Sequence, residues 1–188
     1  MTDPLPPTVM SHVHELHDAF ERAGLAYAFG GAIALGYATR EPRMTIDVDV
    51  NVFVPQADAA RVVAALPASL RGDAELTQRL LRDGQARVRS GMYPIDIFLN
   101  NLPVHDEAAK RIRFVRFDEL TIPVLSALDI VAFKAMFNRS KDWADIVAVL
   151  EARAVSLADV ERELHELGGD DAERLARLKA AANEARAS

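Results

Sequence analysis

The amino-acid sequence predicts an α+β fold, with a small mixed β-sheet flanked by helices and a helical part at the C-terminal end. Apolar residues recur three and four positions apart between Thr8 and Ala23, as they do in an amphipathic helix. The run TIDVDVNVF alternates apolar and polar residues, which is the pattern of a half-buried strand. Beyond Pro123 the strand patterns stop. We therefore expect an α+β core over residues 1–122 and a helical part over residues 123–188.

The first elements are a helix, a strand, a turn and a second helix. The first helix should end at Gly24, because a helix C-terminus favours glycine. The apolar run 25–29 then predicts a strand, which passes through Gly30 and Gly31 into a short helix. In the alternating run that follows, we expect Ile46 and the next three apolar residues to share one face and the acids to share the other.

Further helices and strands follow along the chain. They are, in order, helices over 58–66 and 74–82, strands over 85–89 and 93–99 joined by a turn, and a strand over 111–117. Ser126 is followed three residues later by Asp129, and Ser156 by Asp159, which is the spacing of an N-terminal capping pair. Helices should therefore begin near residues 127 and 157.

Composition excludes several classes of protein. The 188 residues include no cysteine, which rules out disulfide frameworks, thiolate metal sites and cysteine nucleophiles. The 22 Lys and Arg against 28 Asp and Glu argue against nonspecific coating of nucleic acid. The start MTDPLPPTVM lacks the basic and apolar regions of a signal peptide, and no uncharged apolar stretch is long enough to span a bilayer. We expect a cytoplasmic protein with no membrane partner.

Two acids in the alternating run are the first candidates for chemistry. Asp47 and Asp49 leave the same face of the strand, with their Cα atoms about 6.5–7 Å apart. A solvated polar face would tolerate them with no function. Their mutual repulsion would also be relieved by Mg²⁺, which binds one or two carboxylates together with the phosphates of a substrate.

The glycine pair is the second candidate. Gly30 and Gly31 lie between a predicted strand and a predicted helix, where a ligand can approach the backbone and the helix N-terminus can bind phosphate. An ordinary tight turn is the alternative. The chain has neither G-x-G-x-x-G nor G-K-[ST], so the Rossmann and P-loop phosphate sites are excluded.

A third acid lies in an apolar strand. Asp96, in YPIDIFL, needs a partner because an unpaired carboxylate in a half-apolar setting is costly. Arg87 or Arg89 on the neighbouring strand would supply a structural ion pair. A metal shared with Asp47 and Asp49 would instead give the three carboxylates that a two-metal transfer needs.

Lys134 and Thr45 complete the candidates. Lys134 lies in an apolar helix, so it either pairs with an acid such as Asp142 or Asp145 or contacts a phosphate. Thr45 comes just before the acid pair, within reach of a bound phosphate.

Two segments together resemble a known family. The run FGGAIALGYATREPRMTIDVDVNVF resembles the signature of the polymerase-β-type nucleotidyltransferases, a Gly-Gly or Gly-Ser turn followed by Asp-x-Asp in a strand. The run LDIVAFKAMFNRSKDWADIVAVL resembles the helical segment of the AbiEii toxin-like branch, found in type IV toxin–antitoxin pairs. The fold that this resemblance implies is a nucleotidyltransferase core.

The resemblance implies a role for each candidate. Gly30 and Gly31 would line the triphosphate, through backbone N–H groups alone because Gly31 stands where many members have Ser. Asp47 and Asp49 would hold Mg²⁺, for which Mn²⁺ can substitute, and Asp96 would complete the metal site or act as base. Lys134 and Asp142 would complete the nucleotide pocket.

The implied reaction moves a nucleoside monophosphate from a nucleoside triphosphate to an acceptor hydroxyl. By the same resemblance the acceptor would be a tRNA or a protein, and a cognate antitoxin would neutralise the activity. Two alternatives stay open, namely a small-molecule acceptor, as in antibiotic-modifying relatives, and a catalytically silent protein that binds a nucleotide or a partner. A phosphohydrolase with an Asp-x-Asp nucleophile fits less well, because of Asn51 and the upstream glycine pair.

Overall fold

The structure is a computed structural model, and it describes residues 8–71, 75–168 and 170–187. The strands are β1 (Tyr27–Phe29), β2 (Val48–Pro55), β3 (Gln85–Ser90), β4 (Tyr93–Asn100), β5 (Arg113–Phe117) and β6 (Leu120–Val124). The helices are α1 (Val9–Ala23), α2 (Gly31–Thr39), α3 (Ala59–Ala65), α4 (Leu76–Asp83), α5 (Pro103–Lys110), α6 (Ala127–Phe137), α7 (Ser140–Glu151), α8 (Leu157–Glu166) and α9 (Ala172–Ala187).

The strands form one six-stranded mixed sheet in the order β3-β4-β2-β1-β6-β5. Strand β2 is antiparallel to β1 and parallel to β4, while β1 is parallel to β6. The two outer strands, β3 and β5, are antiparallel to their neighbours. The predicted α+β fold with a mixed sheet and flanking helices is confirmed. Because β2 pairs directly with β4, residues separated by almost fifty positions in the sequence become neighbours on one face.

The two central strands each bury one face. Val48, Val50 and Val52 of β2 are buried, as are Ile95 and Ile97 of β4, so the hydrophobic core lies against this face of the sheet. Helices α1 and α3 pack against β2. The opposite face of these strands carries the acids and faces a cleft.

Local capping defines the helices where the sequence predicted it. The Thr8 side chain accepts a hydrogen bond from the Ser11 N–H, and Gly24 ends α1 in the left-handed conformation. Ser126 accepts a hydrogen bond from the N–H of Asp129 at the start of α6. The equivalent bond begins α8. The expected helix starts near residues 127 and 157 are therefore confirmed.

Some expectations differ from the structure. Asp47, expected on the strand beside Asp49, lies just before β2, as does Ile46, which is 54% exposed, so the strand and its buried alternation begin only at Val48. Helix α4 begins at Leu76, and its expected start at residue 74 lies outside the described residues. Helix α5 and strand β6 were not predicted. A proline made the pattern of each element hard to recognise in the sequence, since Pro103 is the first residue of α5 and Pro123 lies within β6.

A buried ionic cluster joins the last helices to the sheet. The Arg111 guanidinium, between α5 and β5, donates hydrogen bonds to Asp129 of α6 and Glu163 of α8, both of which are buried. After β6 the described chain is helical. No helix within the described ranges is long and apolar enough to cross a bilayer.

Candidate active site

A row of four residues crosses the sheet on the cleft side. Asp49 of β2 pairs in register with Asp96 of β4, and Asp96 pairs with Arg87 of β3. On the other side of Asp49, the Gly30 N–H donates to the Asp49 carbonyl oxygen at 2.9 Å. The parallel pairing of β2 with β4 therefore brings together two of the three predicted acids.

The glycine turn is shaped around the Asp49 carboxylate. Gly31 has φ +49°, a conformation that L side chains rarely adopt. A Cβ atom at Gly31 would overlap Asp49 Oδ2 and would lie only 2.6 Å from Asp49 Cγ. Only glycine at this position lets the carboxylate lie against the first turn of α2. The Gly30 N–H is already bonded to Asp49, so any phosphate would have to use the amides that follow.

The surroundings of Asp49 disfavour the charged form of its carboxyl group. Burial, which is the largest cause, and the neighbouring carboxylates of Asp96 and Asp47 together raise the pKa of Asp49 to about 6, although Lys134 and Arg87 act in the opposite direction. A cation bound beside Asp49 would relieve this repulsion. Asp47 is itself positioned by Thr45, whose hydroxyl oxygen accepts the Asp47 N–H at 3.0 Å.

Asp96 has a cationic partner in the structure. Arg87 donates from Nε to Oδ1 at 2.7 Å and from Nη2 to Oδ2 at 2.6 Å, and the same Nη2 lies 3.8 Å from Asp47 Oδ2. The structural ion pair that the sequence offered as one alternative is therefore present. Across the described residues, no three His, Cys, Asp or Glu side chains form a group arranged to hold a metal.

Lys134 lies within an ionic network on the helical wall of the cleft. Its Nζ is 2.7 Å from Asp145 Oδ2 and 3.4 Å from Asp142 Oδ1. Arg139 bonds Asp142 through Nε at 2.7 Å, and Arg43 bonds Asp145 at 2.8 Å. Burial alone would raise the pKa of Asp142, which is 1% exposed, but Arg139 and Lys134 lower it. Asp142 is thus held as a carboxylate between two cations.

The eight predicted site residues line one cleft, with a volume of about 880 Å³. They are Gly30, Gly31, Thr45, Asp47, Asp49, Asp96, Lys134 and Asp142. The volume lies within the usual range for pockets that bind small ligands. The sheet supplies the acids and the C-terminal helices supply the lysine, so neither part of the chain forms the cleft alone.

Sequence reasoning missed two arginines of this cleft. Arg139 precedes α7 and bonds Asp142 three residues on, a spacing visible in the sequence. Arg43 contacts Asp145, which is 102 positions away in the sequence. No local pattern reports such a contact.

The fold is similar to that of nucleotidyltransferase-like proteins. The structure of the antibiotic-resistance factor ANT(2'')-Ia is similar, with 13% identity and a TM-score of 0.53, over 95% of this chain and 92% of that one. An antigenic nucleotidyltransferase-like protein from Paracoccidioides brasiliensis is also similar, with 15% identity and a TM-score of 0.50, over 92% of this chain and 93% of that one.

Residues 16–187 match the model of the family described as nucleotidyl transferase AbiEii toxin, type IV TA system. The chain belongs to this family. No curated protein matches the sequence closely enough to add a relative. The resemblance first noted in two segments thus extends over nearly the whole chain.

Proposed function

We propose that this nucleotidyltransferase moves a nucleoside monophosphate from a nucleoside triphosphate to an acceptor hydroxyl, with a divalent cation at Asp47 and Asp49. One observation carries the proposal: the Asp49 carboxylate lies against the Gly31 turn, at the N-terminus of α2. A cation-binding acid and a phosphate-binding helix end are thereby in contact. This is the juxtaposition that a metal-bound triphosphate needs.

The residues present suit a Mg²⁺ or Mn²⁺ ion. Asp47 and Asp49 offer hard carboxylate oxygens to one cleft, and the raised pKa of Asp49 reflects its burial together with neighbouring negative charge that a cation would relieve. When bound, the cation neutralises phosphate charge in the transition state. The chain's own part is to hold both carboxylates at the cleft floor, through the β2 backbone and the Thr45 hydroxyl.

The triphosphate would bind the first turn of α2. The N–H groups of Gly31, Ala32 and Ile33 have no partner within a helix that begins at Gly31, and they give this end a positive dipole. Lys134 and Asp142, on the facing helices, would complete the nucleotide pocket. In this view the boundary near residue 122 separates a core that holds the metal from helices that enclose the nucleotide.

Asp96 has two possible roles in the proposed reaction. It would act as the third metal ligand, or as the base that takes the proton of the acceptor hydroxyl. Either role requires a free carboxylate oxygen, and Arg87 now engages both. The pairing with Arg87 therefore competes with both roles.

Membership of a type IV toxin–antitoxin family supports a macromolecular acceptor, tRNA or protein, and a cognate antitoxin. A reaction that consumes nucleoside triphosphates also fits a cytoplasmic location. The alternatives, a small-molecule acceptor and a silent binding protein, are outcomes of the experiment that follows.

The test supplies each of the four α-labelled nucleoside triphosphates with Mg²⁺, tRNA and cell protein. We expect label in the tRNA or the protein fraction, and none with Asp49→Asn. The control is Asp58→Asn, the same change at an exposed acid that makes no side-chain capping bond. Retained triphosphate binding without label would indicate a small-molecule acceptor. Loss of both would contradict the enzyme and favour the silent protein.

A further inference from the structure

Arg87 occupies the position that a cation shared by two acids would take. Its guanidinium is bonded to both oxygens of Asp96 and lies 3.8 Å from Asp47 Oδ2. A fork of this kind is among the strongest contacts a carboxylate makes. While it is in place, Asp96 has little capacity left for a metal ion.

The Arg87 side chain is the more exposed partner of the pair. It is 48% exposed, whereas Asp96 is only 18% exposed. Arg87 comes from the outer strand β3, where its neighbours Ala86 and Val88 are the buried ones. The buried side chains therefore fix the backbone of β3, whereas the Arg87 guanidinium is positioned by its ionic contacts. Asp96 is the more buried partner, so a change in the pair would move Arg87.

A bound nucleotide would offer Arg87 a second partner. Arg87 lines the same cleft as Gly31 and Lys134. Phosphate accepts the planar guanidinium fork in the same way as a carboxylate does. A polyphosphate in this cleft would thus draw Arg87 away from Asp96.

We propose that Arg87 competes with a divalent cation for Asp96, and that the polyphosphate of a bound nucleotide releases Asp96 to the cation by taking over Arg87. This inference rests on the proposed function. It makes Arg87 a positioning residue that couples cation binding to nucleotide binding. The nucleotide and the cation would then strengthen each other's binding.

Arg89 provides a matched control. It lies two residues further along β3 and on the same face, but it is opposite Pro94 instead of an acid. It forms no ion pair with any other residue that the structure describes. Arg89→Gln therefore removes the same charge from the same strand and leaves the Asp96 fork intact.

The experiment measures Mn²⁺ affinity from the electron paramagnetic resonance of free Mn²⁺, with and without a non-hydrolysable nucleoside triphosphate analogue. In the parent protein we expect the analogue to tighten Mn²⁺ binding. In Arg87→Gln we expect Mn²⁺ without the analogue to bind about tenfold more tightly than in the parent, and the analogue to add less. Arg89→Gln should behave as the parent does.

Arg87→Lys is the second variant. It keeps the positive charge but cannot form the fork, so its Mn²⁺ affinity without the analogue should lie between those of the parent and Arg87→Gln. Circular dichroism checks that each variant is folded. Equal Mn²⁺ affinities for Arg87→Gln, Arg87→Lys and Arg89→Gln would overturn the inference.

Failure of the inference can be told apart from failure of the proposed function. Asp47→Asn/Asp49→Asn should abolish Mn²⁺ binding, whatever Arg87 does. If Mn²⁺ still binds to that variant, the proposed metal site is wrong, and the competition falls with it. If binding is lost but the Arg87 variants match the Arg89 control, only the competition is wrong.

Discussion

Replacing Gly31 by alanine tests whether the glycine turn determines the position of the Asp49 carboxylate. The added Cβ would lie 2.6 Å from Asp49 Cγ and 3.1 Å from its Cβ. Carbon atoms in contact are about 3.5–4.0 Å apart, so the carboxylate must move by roughly 1 Å. Overpacking of this kind costs about 1–3 kcal/mol.

The backbone adds a second cost. Alanine at φ +49° adopts the left-handed conformation, which costs an L residue about 1–2 kcal/mol. Together the two effects should lower the unfolding free energy by about 2–5 kcal/mol. A misplacement near 1 Å should also cost the transfer reaction about 100-fold. Urea unfolding followed by circular dichroism measures the first effect, and label transfer measures the second.

Gly24→Ala separates the two costs. Gly24 has φ +58°, and an added Cβ there would have no atom within 4 Å, so only the backbone cost applies. In the Asp49→Ala background the Oδ2 and Cγ atoms are gone and only the 3.1 Å contact with Cβ remains, so Gly31→Ala should cost only slightly more than Gly24→Ala. If Gly31→Ala costs the same with and without the Asp49 carboxylate, to within about 0.5 kcal/mol, the steric argument is refuted.

Three further predictions concern stability and binding. Arg111→Leu should lower the unfolding free energy by about 3–5 kcal/mol, because it leaves Asp129 and Glu163 buried without their cation. Burial lowers the pKa of His105 in the folded protein. Below pH 6.5 the unfolded chain therefore binds a proton at His105 more readily than the folded protein does, and the free energy of unfolding falls. His105→Asn should flatten that fall in urea titrations as the pH is lowered below 6.5. Lys134→Met should cost about 1–3 kcal/mol and weaken triphosphate binding by calorimetry.

Matched variants decide each of these predictions. Arg113→Leu removes an exposed arginine that has no ion pair to another described residue, and it should change stability by less than about 0.5 kcal/mol. Lys141→Met, at an exposed position, should be equally mild in urea. An unchanged pH slope in His105→Asn would show that His105 does not contribute to the acid sensitivity. Equal costs at Arg111 and Arg113 would contradict the buried cluster.

The sequence by itself determined the features that depend on near neighbours. The period of apolar residues located α1, β2 and the hairpin of β3 and β4, and Ser126 and Ser156 marked two helix starts. Alternation predicted that Asp47 and Asp49 share one side of the strand, and both line the cleft although Asp47 lies just before β2. The glycine pair and the acid pair carried enough signal to identify the nucleotidyltransferase resemblance. All of these follow from rules that act within one turn or one strand.

Only the tertiary structure decided which distant residues meet. The pairing of β2 with β4 put Asp49 beside Asp96, and the register of β3 chose Arg87 over Arg89 as the partner of Asp96. The tertiary structure also pairs the Gly30 N–H with the Asp49 carbonyl oxygen and leaves Ile46 exposed. Strand order and register are chosen by burial over the whole sheet, and no segment carries that information alone.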